Sequence, residues 1–312
     1  MKRLARAIGA AIIAAAPTLA HAVTFSDIVD PSNPSFTQAL GVNNAGTIVG
    51  YGNANTFNGF ELNNGILTRQ NVAGADGGTQ VTGISGAGTT VGFSITGGVT
   101  SGFTQSGGTF TPVNQPGAVF TQLLGINQAG TQIAGYSSFT DILGATGQQA
   151  FLLVGATYTN INALLPANLN SQATGVNNNG EVVGFYQLTP NTNPTFDGFT
   201  DINGTIASLV FPNAVSTQAL GVNDLGQIVG DYVDAGGIMH GFLDSNGNFL
   251  TLDPSGSTGT TINGINDGGT VVGFYTNGPG ATIGTVGTIP EPASLLLIGT
   301  ALLALGVIRR AK

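Results

Sequence analysis

Few side chains in this sequence could do chemistry. Between residues 23 and 289 there is one histidine, His240, one basic residue, Arg69, and no cysteine. A serine–histidine–aspartate relay would have His240 as its only base, and no G-x-S-x-G phrase accompanies it. Equivalent positions of the repeat described below carry Asn58, Ser101, Gln149 and Asp197, so His240 reads as a variable loop residue. One histidine without cysteine gives no transition-metal site, and no D-x-D-x-D-G calcium loop is present. No catalytic residue, metal or cofactor is therefore expected.

Carboxylates are the remaining candidates. Asp231 and Asp234 lie in "GDYVDAGG", and Asp197 and Asp201 flank "GFT". A pair of them across a funnel would suit a glycosidase or lyase, and several oxygens could hold calcium. Asp224 and Asp267 occupy the turn position also held by Asn44 and Asn178, and read as turn residues. Tyr51, Tyr136, Tyr186, Tyr232 and Tyr275 end the second strand of the repeat, where a tyrosine can stack on a sugar or cap a strand. These five tyrosines, with Asp231 and Asp234, are the candidate ligand-binding residues. Gln38, Gln80, Gln122, Gln172 and Gln218 recur as well, either lining a channel or making one repeated structural hydrogen bond.

These residues are positioned by a repeat. The phrase T-Q-x-x-G-[IV]-N-x-x-G-x-[IV]-V-G occurs six times, with substitutions, its first glycine at Gly41, Gly83, Gly125, Gly175, Gly221 and Gly264. A period of 42–50 residues signals stacked supersecondary units. Asn-x-x-Gly suits a type I turn between two short β-branched strands, so each phrase predicts a hairpin. The third copy carries one extra residue between Gly130 and Gly135, which predicts a bulge there. Gly-Phe or Ala-Phe opens a third strand at Phe60, Phe103, Phe151, Phe199 and Phe242, and a fourth follows. Four strands per unit match a propeller blade. Recurrent Gly41 and Gly50 equivalents are expected where blades pack tightly.

The sixth unit has no clear fourth strand after Phe274-Tyr275, while "TFSDIVDPSN" from Thr24 resembles the fourth strand "NFLTLDPSGS" from Asn248. A ring repairs both defects. The expected fold is all-β, a six-bladed β-propeller closed by the N-terminal strand, with an open β-solenoid as the alternative. The phrase Gly-Ile-Asn-x-x-Gly-x-Ile-Val-Gly resembles the HAF family of extracellular repeats over about residues 36–275, a likeness that implies export and no established activity.

The ends carry addresses. Residues 1–22 read as a signal peptide: Lys2, Arg3 and Arg6, a short apolar run, then cleavage after Ala20-His21-Ala22. Residues 293–308 are apolar or small and are followed by Arg309, Arg310 and Lys312. Sixteen helical residues span about 24 Å, short for a membrane core of about 30 Å, but long basic stems reach the headgroups. The tail stays cytoplasmic by its charge. Pro290-Glu291-Pro292 before this segment resembles the PEP-CTERM sorting signal, which implies anchoring in the inner membrane and processing by an exosortase-type protease. The expected domains are 1–22 signal peptide, 23–283 propeller, 284–292 linker, and 293–312 transmembrane helix with basic tail.

Residues 23–289 hold fourteen acidic side chains against Arg69 alone. Such a surface repels phosphate, so nucleic acid is not an expected partner. The sequence points to an exported, non-enzymatic binding or structural component of the cell envelope or extracellular matrix, with extracellular polysaccharide as a candidate partner. A secreted carbohydrate-active enzyme is the alternative.

Overall fold

A computed structural model of the chain describes residues 23–290 except 54, 141–145, 162–164, 166–169 and 189–193. Every repeat phrase forms two antiparallel strands joined by a short turn, and two more strands lie behind them. β1 (Thr24–Ile28) precedes the first repeat. Blade 1 is β2 (Thr37–Val42), β3 (Ile48–Gly52), β4 (Asn58–Asn63) and β5 (Ile66–Arg69). Blade 2 is β6 (Gly78–Ile84), β7 (Thr90–Thr96), β8 (Val99–Ser106) and β9 (Thr109–Pro112). Blade 3 is β10 (Phe120–Ile126), β11 (Gln132–Thr140), β12 (Thr146–Val154) and β13 (Thr157–Asn160). Blade 4 is β14 (Ser171–Val176), β15 (Glu181–Gln187), β16 (Phe196–Ile202) and β17 (Thr205–Leu209). Blade 5 is β18 (Ser216–Val222), β19 (Gln227–Val233), β20 (Met239–Ser245) and β21 (Asn248–Leu252). Blade 6 is β22 (Ser257–Ile265), β23 (Thr270–Asn277), β24 (Thr282–Thr288) and, on its outer side, β1. The six sheets form a six-bladed β-propeller.

Each letter of the phrase has a physical role. The threonine is a staple. The hydroxyls of Thr37, Thr79, Thr121 and Thr217, all buried, accept the N–H of Asp30, Val72, Gln115 and Phe211 in the connection entering each blade, at 2.9–3.0 Å. The first glycine builds the axis. A Cβ on Gly41 would lie 3.1 Å from the Cα of Gly83, and so on through Gly125, Gly175, Gly221 and Gly264, whose own Cβ would lie 3.3 Å from the Cα of Gly41. The six backbones thus touch in a circle that only glycine permits.

The asparagine works in two directions. Asn43 Oδ1 accepts the N–H of Ala45 and Thr47 within its own turn, and its Nδ2 donates to the carbonyl of Ser85 in the next blade at 3.0 Å. Asn177, Asn223 and Asn266 donate likewise to the carbonyls of Asn223, Asn266 and Asn43, at 2.9–3.1 Å. All four are buried, so these bonds operate in low dielectric, where losing one leaves a costly orphan.

The second glycine differs from expectation. A Cβ on Gly50, Gly92, Gly135, Gly184 or Gly230 would strike first the carbonyl oxygen of Gln38, Gln80, Gln122, Gln172 or Gln218 on the first strand of the same blade, and then the phenyl ring of Phe60, Phe103, Phe151, Phe199 or Phe242 on the third. These glycines serve packing within a blade, squeezed between a carbonyl of the first strand and a core phenylalanine of the third. The extra residue of the third phrase also behaves differently. It lengthens the turn, so that Asn127 N–H reaches the carbonyl of Gln132 rather than that of the fourth residue on, as Asn43 does with Thr47. The bulge lies elsewhere and in every blade: the register skips one residue just before the ring glycine, as between Ala39 and Gly41.

Blade 6 corrects the expected domain boundary. β24 runs to Thr288, so the segment assigned to a linker from 284 begins as strand, and the propeller does not end at 283. Its sequence, TIGTVGT, lacks the phenylalanine that marks the other third strands; buried Thr285 stands opposite Gly273 in that place. β24 pairs with β23 on one side and with β1 on the other, from Thr24↔Thr288 to Ile28↔Gly284. Ile289 N–H then donates to the carbonyl of Gly269 at 2.8 Å, and exposed Pro290 follows. The two ends of the folded unit thus leave one edge of blade 6 side by side.

Just after β1, Asp30 is fully buried where the connections to blades 2 and 5 carry Val72 and Phe211. Arg69 of blade 1 grips both its carboxyl oxygens, Nη1 to Oδ2 at 2.7 Å. Burial pushes this carboxyl up, but the hydrogen bonds from Arg69 and Ser32 outweigh it and hold Asp30 below the usual carboxylate range. Its contribution to stability is therefore present above the unfolded carboxylate pKa and is lost as pH falls through the lower folded value. Glu291, Pro292, the signal segment with Ala20 and Ala22, and the apolar segment with Arg309, Arg310 and Lys312 lie outside the described residues.

Candidate functional site: an axial cavity with one carboxyl

The bulge aims one side chain of every blade at the axis. The skipped residues are Leu40, Thr82, Leu124, Thr174, Leu220 and Asn263, and all six border the axial space. Leucine alternates with a polar residue, and each polar one donates to the next blade: Thr82 to the carbonyl of Leu123, Thr174 to that of Ala219, both at 2.8 Å, and Asn263 to that of Ala39 at 3.2 Å. At the turn end the axial space is only about 60 Å³. At the end marked by Gln38, Gln172 and Gln218 it opens into a cavity of about 470 Å³.

Asp231 faces this cavity. The cross-strand register explains why it is unusual. Tyr51, Phe93, Tyr136 and Phe185 lie opposite the glutamines of blades 1–4, and Phe274 lies opposite Thr261. Opposite Gln218 in blade 5 stands Asp231. A carboxyl thus replaces an aromatic ring, 4% exposed, with Phe185 and Phe274 of the flanking blades bordering the same cavity. Burial pushes its pKa up to about 7, partly opposed by a hydrogen bond with Thr261. Thr261 Oγ1 is also placed to donate to Met239 Sδ at 3.3 Å. A neutral Asp231 can donate to Thr261 and keep that relay. An ionised one must accept the Thr261 hydrogen bond, which ends the donation to Met239.

This makes a pH prediction. The folded state holds the Asp231 proton more tightly than the unfolded state, so stability falls as pH rises from about 4 to about 7. The expected size is about 3 kcal/mol, from three pH units at about 1.4 kcal/mol each with a discount for relaxation. Asp231→Asn should flatten that part of the profile of unfolding free energy against pH. Equal slopes in variant and parent would exclude it.

The five tyrosines do not form the set expected from the sequence. Tyr51 and Tyr136 occupy the aromatic register just described, and their hydroxyls donate to Gln38 and Gln122 Oε1 at 2.8 Å. Tyr186, Tyr232 and Tyr275 come one residue later and so lie on the opposite face of their sheets. Tyr232 meets Thr251 Oγ1 at 2.9 Å and stacks on Phe211 at 3.6 Å, while Tyr275 donates to Asp27 at 3.1 Å. All five are buried, 6–9% exposed, so none offers an open ring face to a sugar. Burial pushes Tyr51 and Tyr136 up to about 12.

Asp234 lies apart from Asp231. Its carboxyl accepts the N–H of Gly236 and Ile238 at 2.8 Å and approaches His240 Nε2 at 3.5 Å. His240 lies in strand β20, not in a loop, with Nδ1 2.6 Å from Asp253 and its ring stacked on Tyr232. The Asp253 bond, against some loss of solvation, raises the His240 pKa. Asp201 caps Gly204 N–H at 2.8 Å, and Asp197 pairs across the sheet with Tyr186. The four candidate carboxylates therefore do not converge. Asp224 and Asp267 are turn residues as expected, linked by Asp224 N–H to Asp267 Oδ1 at 2.8 Å. Among the described residues no cluster of three His, Cys or carboxylate side chains is placed to hold a metal.

The last strand of blade 6 leads directly into a recognisable signal. Residues 288–311 match the PEP-CTERM protein-sorting motif. The PEP-CTERM signal implies an exported protein, anchored in the membrane before an exosortase processes it. No curated protein matches the chain in sequence. Several solved structures are similar to it at low identity. TolB from Acinetobacter baumannii is 10% identical with a TM-score of 0.46, over 83% of this chain, which spans 66% of that protein. The Aleuria aurantia lectin is 11% identical with a TM-score of 0.47, over 83% of this chain and 97% of the lectin. The β-propeller domain of the Trilobed protease from Pyrococcus furiosus is 10% identical with a TM-score of 0.45, over 78% of this chain and 80% of that one.

Proposed function

We propose that the protein is a non-catalytic binding or structural propeller of the cell envelope or extracellular matrix, released from the inner membrane at Pro290-Glu291-Pro292. In this reading its blades are HAF-type extracellular repeats and β1 is the clasp that holds the ring shut. The observation that carries it is the junction: Pro290 directly follows Ile289, among the described residues the last one hydrogen-bonded to the propeller. A cut at this point frees all six blades and removes nothing from them. The acidic surface suits a neutral or cationic extracellular polymer rather than nucleic acid.

Deleting residues 290–312 and fractionating the cells tests this. The parent should collect in the membrane when the protease is absent, and the deleted form should be soluble outside the cytoplasm. A deleted form still bound to membrane would overturn the reading. The carbohydrate-active alternative requires two carboxyls about 5–9 Å apart across a substrate. Asp231 is the only ionisable side chain bordering the wide cavity among the described residues, which favours binding over hydrolysis there.

A further inference from the structure

We infer that the wide end of the axial cavity binds a small organic cation, an alkylammonium or quaternary ammonium, with Asp231 as its counter-ion and Phe185 and Phe274 as aromatic walls. This deepens the reading of the propeller as a binding component and rests on it.

Three observations carry the inference. The first is the replacement of an aromatic by a carboxyl at one blade in six, facing a cavity of about 470 Å³. That volume lies in the range that encloses small ligands. A structural role alone would be met by another phenylalanine or tyrosine, as in the other five blades. The second is that the protein supplies no cation for this carboxyl. Arg69 is the one basic side chain in residues 23–289 apart from His240, and it is committed to Asp30. His240 sits between Asp234 and Asp253. Apart from Asp231 the cavity wall is Gln, Thr, Asn, Leu, Phe and Met, so nothing ionisable competes.

The third observation is the company the carboxyl keeps. Phe185 and Phe274 come from the blades on either side, and Met239 and Leu220 complete an apolar surface beside it. An anionic group set among aromatic rings and a thioether is matched by a cation with an apolar skin: the charge meets the carboxylate, the methyl or methylene groups meet the rings. Polar side chains from several blades also line the wall, but most are already engaged: Gln38 accepts from Tyr51, Gln172 donates to Gln148, and Thr82, Thr174 and Asn263 donate to backbone carbonyls of the next blade, which leaves few free for a neutral sugar. The excess of acidic residues over the whole propeller draws cations toward it.

Binding should ionise Asp231 and release a proton. The test is titration calorimetry on the full chain in a sugar-free neutral detergent, with tetramethylammonium and butylamine as probes and glucose as the neutral control. Runs at pH 5.5 and pH 8 in buffers of different ionisation heat count the protons. Both cations should bind at least tenfold more tightly at pH 8, with close to one proton released at pH 5.5 and almost none at pH 8. Asp231→Asn should reduce affinity at pH 8 at least tenfold and abolish the pH dependence. Its unfolding curve at pH 5 should match the parent, because the amide mimics the neutral acid. Phe274→Leu should weaken tetramethylammonium about fivefold and retain the pH dependence, which keeps the test meaningful if the asparagine variant is unstable. Binding of glucose without the cations, cation binding unchanged in Asp231→Asn, or no binding of any probe would overturn the inference. Cell fractionation with the 290–312 deletion is unaffected by these results, so the envelope reading stands or falls separately.

Discussion

Replacing Gly221 with alanine should cost about 4 kcal/mol or more and lower the melting temperature by about 10 °C. The added Cβ would lie 2.6 Å from the carbonyl oxygen of Asn263, 3.1 Å from the Cα of Gly264 and 3.2 Å from Val229. Two of these neighbours are backbone of the next blade, which is itself locked against Gly41, so no side chain can turn aside to make room. The strain must spread round the ring. Gly247 is the control. Its φ is 81° and nothing lies within 4 Å of its Cβ position, so alanine there should cost only about 1 kcal/mol, from the left-handed backbone alone. Chemical denaturation of both variants checks the contrast. Similar losses at the two sites would mean that the axial contacts relax freely.

The second large effect concerns β1. Removing residues 23–29 strips the outer side of β24 and leaves TIGTVGT as an uncharged, proline-free edge, the kind of strand that pairs between chains. Ile28, buried beside Ala39, Val42 and Phe60, goes with it. The expected loss is on the order of 5 kcal/mol, comparable to the whole stability of many domains. In size-exclusion chromatography the truncated chain should move to dimers or larger species. A synthetic peptide, VTFSDIVD, added in excess should return it to monomer. A truncated monomer with unchanged unfolding would show that blade 6 is complete with three strands and that β1 is no clasp.

These two predictions depend on contacts that the sequence shows unequally. The ring glycines recur in every phrase, and a reader of the sequence can locate all six. Their partners cannot be read there, because the Cα of Gly264 meets that of Gly41 across 223 positions. Gly50 and its equivalents recur just as regularly, yet what crowds them is the two adjacent strands of their own blade, a carbonyl on one side and in five blades a phenylalanine on the other, rather than a neighbouring blade. Repetition reveals that a residue matters to the unit without saying which side of it is crowded.

The candidate site shows the same limit. Asp231 stands after Val229-Gly230 where the other phrases put Tyr51, Phe93, Tyr136, Phe185 and Phe274 after their own glycine. Alignment on that glycine would have isolated it. The five tyrosines span two registers, since Tyr186, Tyr232 and Tyr275 follow one residue later and face the other way. In a strand a shift of one position exchanges the two faces of the sheet. Blade 6 is less legible still in the sequence, because β24 has no phenylalanine and its partner β1 comes from the other end of the unit.

By itself the sequence determined the six-fold repeat, the hairpin in each phrase, the acidic balance and the sorting signal. These are local or compositional properties, written in residues close together in the chain. The tertiary structure decided that Asp231 borders an axial cavity with Phe185 and Phe274, that Asp234 and His240 belong to a different cluster, and that the strand after residue 281 belongs to the propeller. Each of those depends on curvature of the whole ring, which brings blades 4, 5 and 6 to one axis and sets the two ends of the unit against each other.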